Sequence, residues 1–167
     1  HNLYWYEDPY KDGGVSINGN QVLSEKLSTP ILVGEHMRNF ETSTDMLVNG
    51  ASFFSRADPD YDGGITGSYK LAVASEGLGI DCEIHSCGPA MRHLISALRN
   101  SNFYEVNLLH PNCNNAWSLP IYLDGYSDEI NCIDNNGNVT VSDKPGLGVL
   151  YDWDFIKKHT LYKVIID

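Results

Sequence analysis

Five ionisable residues recur along the chain, each at the end of a short apolar or β-rich run. Glu7 follows Trp5-Tyr6, Glu35 follows Val33-Gly34, Asp58 follows Ser55-Arg56-Ala57, His85 follows Glu83-Ile84, and Glu105 follows Phe103-Tyr104. The intervals between them are 28, 23, 27 and 20 residues. Carboxylates and an imidazole are the residue types that hold cations and move protons. Taken singly, each has a plainer reading as the N-cap of the helix that follows it. Glutamate is a poor N-cap, however, and three of the five are glutamate. Gly34 directly precedes Glu35, and a residue without a Cβ lets backbone or ligand approach closely. The spacing alone shows convergent ionisable groups and assigns no individual role.

The elements that must position these groups alternate in type. The runs Leu3–Tyr6, Ile31–Gly34, Ala51–Arg56, Ile80–Ile84 and Asn102–Leu109 read as strands. Between them lie helical stretches, Gln21–Leu27, Arg38–Asn49, Thr66–Glu76 and Pro89–Arg99. The third stops at Gly77-Leu78-Gly79, and the fourth carries proline in its first turn with Met91, Leu94, Ile95 and Leu98 on one face. Strand–helix alternation at this period implies a parallel sheet, either doubly wound or a barrel. A doubly wound sheet concentrates its site at one switch point served by few strands. Five successive strands that each end in an ionisable group suit the mouth of a (β/α)₈ barrel instead.

The 167 residues suffice for one domain with a sizeable core and are too few to argue for two complete ones. A net charge of −11 argues against a nucleic-acid partner, because nothing could neutralise a run of phosphates. No stretch approaches the roughly 20 apolar residues of a membrane span. Cys82, Cys87, Cys113 and Cys132 form no C-x-x-C pair, so reduced thiols in a cytoplasmic protein are the simplest account. Cys82 and His85 fall in an alternating run, where they point opposite ways, which argues against zinc. Asp60 and Asp62 imitate part of a calcium loop without its closing glutamate and read as a polar turn.

The anchors carry a family likeness. Tyr6-Glu7-Asp8-Pro9, Gly34-Glu35-His36, Asp58 ahead of Gly63-Gly64-Ile65-Thr66-Gly67, His85 and Tyr104-Glu105 stand in order. So does the tail from Gly137-Asn138-Val139 through Lys144-Pro145-Gly146-Leu147-Gly148-Val149. In these the chain resembles the enolase superfamily, in its mandelate racemase and muconate lactonising enzyme-like group, over nearly its whole length. The resemblance implies a partial (β/α)₈ barrel, the family's fourth to eighth strands over residues 1–110. Residues 111–167 are then a C-terminal extension that returns to the capping domain. Trp117, Tyr122, Tyr126, Trp153 and Phe155, by their type, are expected to pack this tail against the barrel.

It also implies roles. Glu7 and Glu35 correspond to carboxylate ligands of Mg²⁺, Asp58 and His85 to an orienting carboxylate and its acid–base imidazole. Glu105 corresponds to the acid, most useful protonated, that hydrogen-bonds the substrate carboxylate, and His36 is a weaker candidate for substrate contact. The reaction implied is proton removal beside a carboxylate to give an enediolate, foremost the dehydration of a sugar acid. Racemisation, epimerisation or cycloisomerisation of a hydroxy acid starts from the same step. The family's first metal ligand and its Lys-x-Lys bases lie ahead of the Glu-Asp-Pro strand, and only six residues precede Glu7 here. The expectation is therefore a portion of a homo-oligomeric parent enzyme that needs the N-terminal portion for activity. A non-catalytic binding or structural piece is the alternative.

Overall fold

Short parallel strands alternate with helices through the first two-thirds of the computed structural model, which describes residues 2–11, 14–108, 110, 112–113 and 120–166. The order is β1 Tyr6–Glu7, α1 Ile17–Ser24, β2 Ile31–Val33, α2 Phe40–Val48, β3 Phe54–Ala57, α3 Gly64–Gly77, β4 Asp81–Ile84 and α4 Pro89–Ser96. All pairings within this four-stranded sheet are parallel, and its order is β1-β2-β3-β4. Each crossover therefore steps one strand in the same direction, as in an arc of a (β/α) barrel, and the order never reverses as it would in a doubly wound sheet. Residues 1–105 form one compact unit and residues 106–167 a second.

Alternation along the strands sorts side chains onto two faces. Ile31 and Val33 pack with Met37, Met46 and Ala51, while Ala57, Cys82 and Ile84 pack with Leu47, Leu71, Ala72, Met91 and Leu94. These two clusters join the sheet to its helices, and each fully buried Leu, Ile or Met adds about 1.5–3 kcal/mol. The opposite face carries Phe54 on β3, whose ring meets Tyr4 and Trp5 at 5.6 Å. Phe103 closes the same group at 5.5 and 5.6 Å from those two rings. Two residues beyond Phe54 on this face comes Arg56, and two beyond that Asp58. The aromatic layer thus lies at the start of the strands and the charged layer at their ends.

Residues 102–106 do not form the expected fifth strand. The Cys82 N–H donates to the Asn100 carbonyl at 2.6 Å. Beyond that point the buried carboxylate of Glu83 takes the place of a ladder. It accepts from the Asn102 N–H at 3.1 Å, the Asn102 side-chain amide at 2.7 Å and the Phe103 N–H at 3.1 Å. An acid inserted beside β4 captures the amides that strand pairing would have used. Asn107 makes one isolated bridge, to Glu129, and Leu109 lies outside the described residues.

In the second unit, the bridges Tyr122–Tyr151 and Ile133–Val139 pin loops around the 3₁₀ turn Ile130–Cys132. Helix α5, Trp153–His159, is capped by Asp152, whose Oδ1 accepts from the Phe155 N–H at 2.9 Å. The aromatic residues pack on one another. Tyr122 meets Tyr126 and Tyr151, Tyr151 meets Trp153, and Phe155 stacks on His159. Trp117 lies outside the described residues.

Candidate active site

A buried arginine gathers the acids that the strands deliver. Arg56 is 3% exposed. Its Nη2 lies 3.0 Å from Glu7 Oε1 and also contacts Glu105 Oε1, and its Nε is 3.6 Å from Glu35 Oε2. Glu7 ends β1 and Glu35 follows β2. A single guanidinium therefore ties together carboxylates from three segments that are far apart in sequence.

Gly34 is what lets β2 approach closely enough. It has φ +149°, and a Cβ there would sit 2.3 Å from the Arg56 carbonyl oxygen. Of the three non-glycine residues at positive φ among the described residues, two stand immediately after proposed site residues, Asp8 after Glu7 and Ser86 after His85. Side chains are rarely held in that region unless the surroundings fix them. Here Ser86 uses the turn to donate its N–H to Glu105 Oε2. Both oxygens of Glu105 thus accept from donors.

Asp58 and His85 meet directly. His85 Nδ1 lies 2.6 Å from Asp58 Oδ2, and the His85 N–H donates to the Ala57 carbonyl at 2.8 Å. Asp58 is 1% exposed, and its Oδ1 accepts from the Asp60 N–H at 2.7 Å. With Nδ1 committed to Asp58, Nε2 is the ring nitrogen left to face the other acids, and it lies 3.2 Å from Glu35 Oε2. Burial pulls the imidazole down, but the Asp58 hydrogen bond and the Glu35 and Glu105 charges outweigh it, so His85 holds its proton more tightly than an ordinary histidine.

Glu7, Asp8 and Glu35 are crowded. Burial pushes Glu7 above the ordinary carboxylate range. Arg56 opposes that shift, and Glu35, Glu105 and Asp8 add to it. Asp8 is raised likewise, by burial first and then by Glu35, against the pull of His36. His36 Nε2 lies 3.4 Å from Asp8 Oδ2 and 3.3 Å from Glu35 Oε1. Among the described residues, Asp8, Glu35 and His36 are the one group of three whose ligand atoms lie within 4.8 Å of one another. A local excess of negative charge on hard oxygen donors suits a divalent cation such as Mg²⁺. The imidazole of His36 suits that ion poorly.

The structure therefore brings together all six residues singled out in the sequence: Glu7, Glu35, His36, Asp58, His85 and Glu105. The sequence reading passed over Arg56, Asp8 and the amide of Ser86. Arg56 had a signal, since period-two alternation places a charged side chain on the same face as Phe54 and Asp58. Cys82, His85 and Cys87 are not among the groups of three whose ligand atoms come within 4.8 Å of one another among the described residues. Burial pushes the Cys82 thiol up to about 12, and none of the four cysteines is in a disulfide among the described residues. No helix among the described residues is long and apolar enough to cross a membrane.

Comparison with known proteins finds likeness in sequence and in fold. Residues 1–155 match the family described as Enolase C-terminal domain-like. The L-talarate/galactarate dehydratase of Salmonella typhimurium is 26% identical over 147 residues, 88% of this chain and 33% of that protein. The D-glucarate dehydratase of Agrobacterium tumefaciens, solved with magnesium, superposes with a TM-score of 0.80 at 26% identity, over 94% of this chain and 40% of its own. An enolase from Bradyrhizobium, solved with magnesium and mandelic acid, shares the fold with a TM-score of 0.72 at 24% identity, over 94% of this chain and 39% of its own. The chain spans between a third and two-fifths of the length of these relatives.

Proposed function

Because the chain belongs to the Enolase C-terminal domain-like family, we propose that it carries the acid–base side of a site that removes the proton beside a substrate carboxylate. Dehydration of a sugar acid is the favoured outcome. The observation that carries this is the His85–Asp58 pair, whose 2.6 Å contact leaves Nε2 as the proton-transfer atom beside Glu35. Dehydration is favoured over racemisation because the talarate/galactarate and glucarate enzymes are dehydratases and are each 26% identical to this chain.

The residues divide the work as follows. Asp58 fixes the tautomer and orientation of the imidazole and stabilises its charged form. His85 moves a proton at Nε2, either taking it from the carbon beside the carboxylate or, once charged, giving it to the β-hydroxyl so that this leaves as water. Glu105, held by Arg56 and the Ser86 N–H, stands where it can meet the substrate carboxylate. Glu7 and Glu35, with Asp8 beside them, would hold Mg²⁺, which when bound offsets the negative charge that develops on the carboxylate oxygens. Three carboxylates are short of the six oxygens that Mg²⁺ takes. Water and further protein oxygens would complete the shell, and the Lys-x-Lys bases of the family would supply a second acid–base group opposite His85.

Calorimetric titration with Mg²⁺ tests the metal assignment. The chain, alone and together with whatever sequence precedes it in its reading frame, should bind more weakly after Glu35→Gln than before. Binding left unchanged by both Glu7→Gln and Glu35→Gln would remove these residues from the metal site.

A further inference from the structure

Asp62 is a buried acid that the chemistry above leaves unused. It is 7% exposed. Its Oδ2 accepts from the Asp58 N–H at 2.8 Å, and its own N–H donates to the Asp58 carbonyl at 2.8 Å. Both backbone groups of Asp58 are thus tied to one residue. The Asp58 carboxylate is fixed by the Asp60 N–H on one oxygen and by His85 on the other. The loop from Asp58 to Asp62 encloses one carboxylate and orients it, with Asp62 as the closing member.

The chain goes to some length to seat that member. Gly63 and Gly64 stand in succession at φ +79° and +77°, a turn that L side chains resist. A Cβ at Gly67, in the first turn of α3, would lie 1.5 Å from the Asp62 carbonyl oxygen. The helix therefore packs its backbone directly on the Asp62 peptide. Seating an acid here is unfavourable in itself. Burial pushes the Asp62 carboxyl above its usual range, the Asp58 N–H opposes the shift, and the Asp58 charge adds to it. Asp62 Oδ1 is buried and has no hydrogen-bond partner among the described residues. A polar turn on the surface would need neither the burial nor the aim at the Asp58 amide.

We infer that Asp62 is a positioning residue for the Asp58–His85 pair, its carboxylate fixing the Asp58 backbone and thereby the oxygen that holds His85 Nδ1. The inference rests on the reading of Asp58 and His85 as the proton-transfer pair. It concerns geometry, so it can be read without turnover, from the His85 Nδ1 proton in the NMR spectrum of the chain with isotope-labelled histidine. In the wild type that proton should lie far downfield and exchange slowly with solvent.

Asp62→Asn, whose amide oxygen can accept the same bond, should keep it. Asp62→Ala should speed its exchange about tenfold or more, as expected for losing one hydrogen bond to a buried group. A folded Asp62→Ala chain with unchanged exchange overturns the inference. If Asp62→Ala does not fold, Asp62→Asn decides alone, since loss of the proton there would show that the acceptor is not what matters. Absence of the proton from the wild type would instead remove the pair itself and the proposed chemistry with it.

Discussion

Replacing Arg56 by methionine keeps much of the side chain's volume and deletes its charge, so it isolates what the guanidinium does. Arg56 is 3% exposed, and the side chains it pairs with, Glu7, Glu35 and Glu105, are 33%, 15% and 37% exposed. Breaking a fully buried ion pair costs about 3–5 kcal/mol, because the remaining charge stays desolvated. Glu7 and Glu105 keep water contact and Glu35 is at 3.6 Å, so the loss at neutral pH should be smaller, about 2–3 kcal/mol. The sign also has a pH signature. Without the guanidinium, the carboxylates relieve their mutual repulsion by taking up protons, and Glu7 is already raised in its presence. Urea titrations at about pH 7 and about pH 4.5 should therefore show the Arg56→Met defect shrinking as pH falls. An equal defect at both pH values would mean that packing, and not charge, was lost, and would refute the reasoning.

Three further outcomes follow from single contacts. Asp62 binds its proton more tightly in the fold than in the unfolded chain, so its contribution is complete below about pH 4 and lost as pH rises through the folded value. Asp62→Asn should lose less stability than the wild type between about pH 4 and about pH 7, and a parallel loss in urea titrations would contradict this. Glu83→Ala orphans the Asn102 and Phe103 amides and should cost about 2–4 kcal/mol, with Glu83→Gln well below that, as read by thermal unfolding. Gly34→Ala places a methyl group 2.3 Å from the Arg56 carbonyl oxygen and should part β2 from β3, seen as lost amide protection in both strands.

The barrel arc was legible because short β-rich runs alternate with helices that have clear stops. β2 and β4 fall inside the runs expected for them, and β3 overlaps its own, ending one residue later at Ala57. The helix boundaries moved where local capping outweighed apolar patterning. α1 begins at Ile17 because Ser16 Oγ accepts from the Gly19 N–H, and α2 begins at Phe40 because Asn39 caps Thr42. The run from Asn102 looks strand-like in composition, yet nothing in composition tells that Glu83 will claim its amides. Strand-end position brought out Glu7, Glu35, Asp58, His85 and Glu105. Arg56 and Asp62 escaped because their partners lie across the sheet or inside a loop, and those contacts exist only once the chain has folded. The chain spans between a third and two-fifths of the length of these relatives, so the activity of the whole protein stands as a proposal.

The most direct measurement is isotope exchange at the carbon beside the carboxylate. Galactarate, talarate and glucarate would be incubated in deuterated buffer with Mg²⁺ and the chain expressed from its full reading frame, and followed by proton NMR. The account predicts deuterium uptake or loss of water for at least one of these acids, dependent on Mg²⁺ and abolished by His85→Asn. Undiminished turnover by the His85→Asn protein would show that the proton moves through another group.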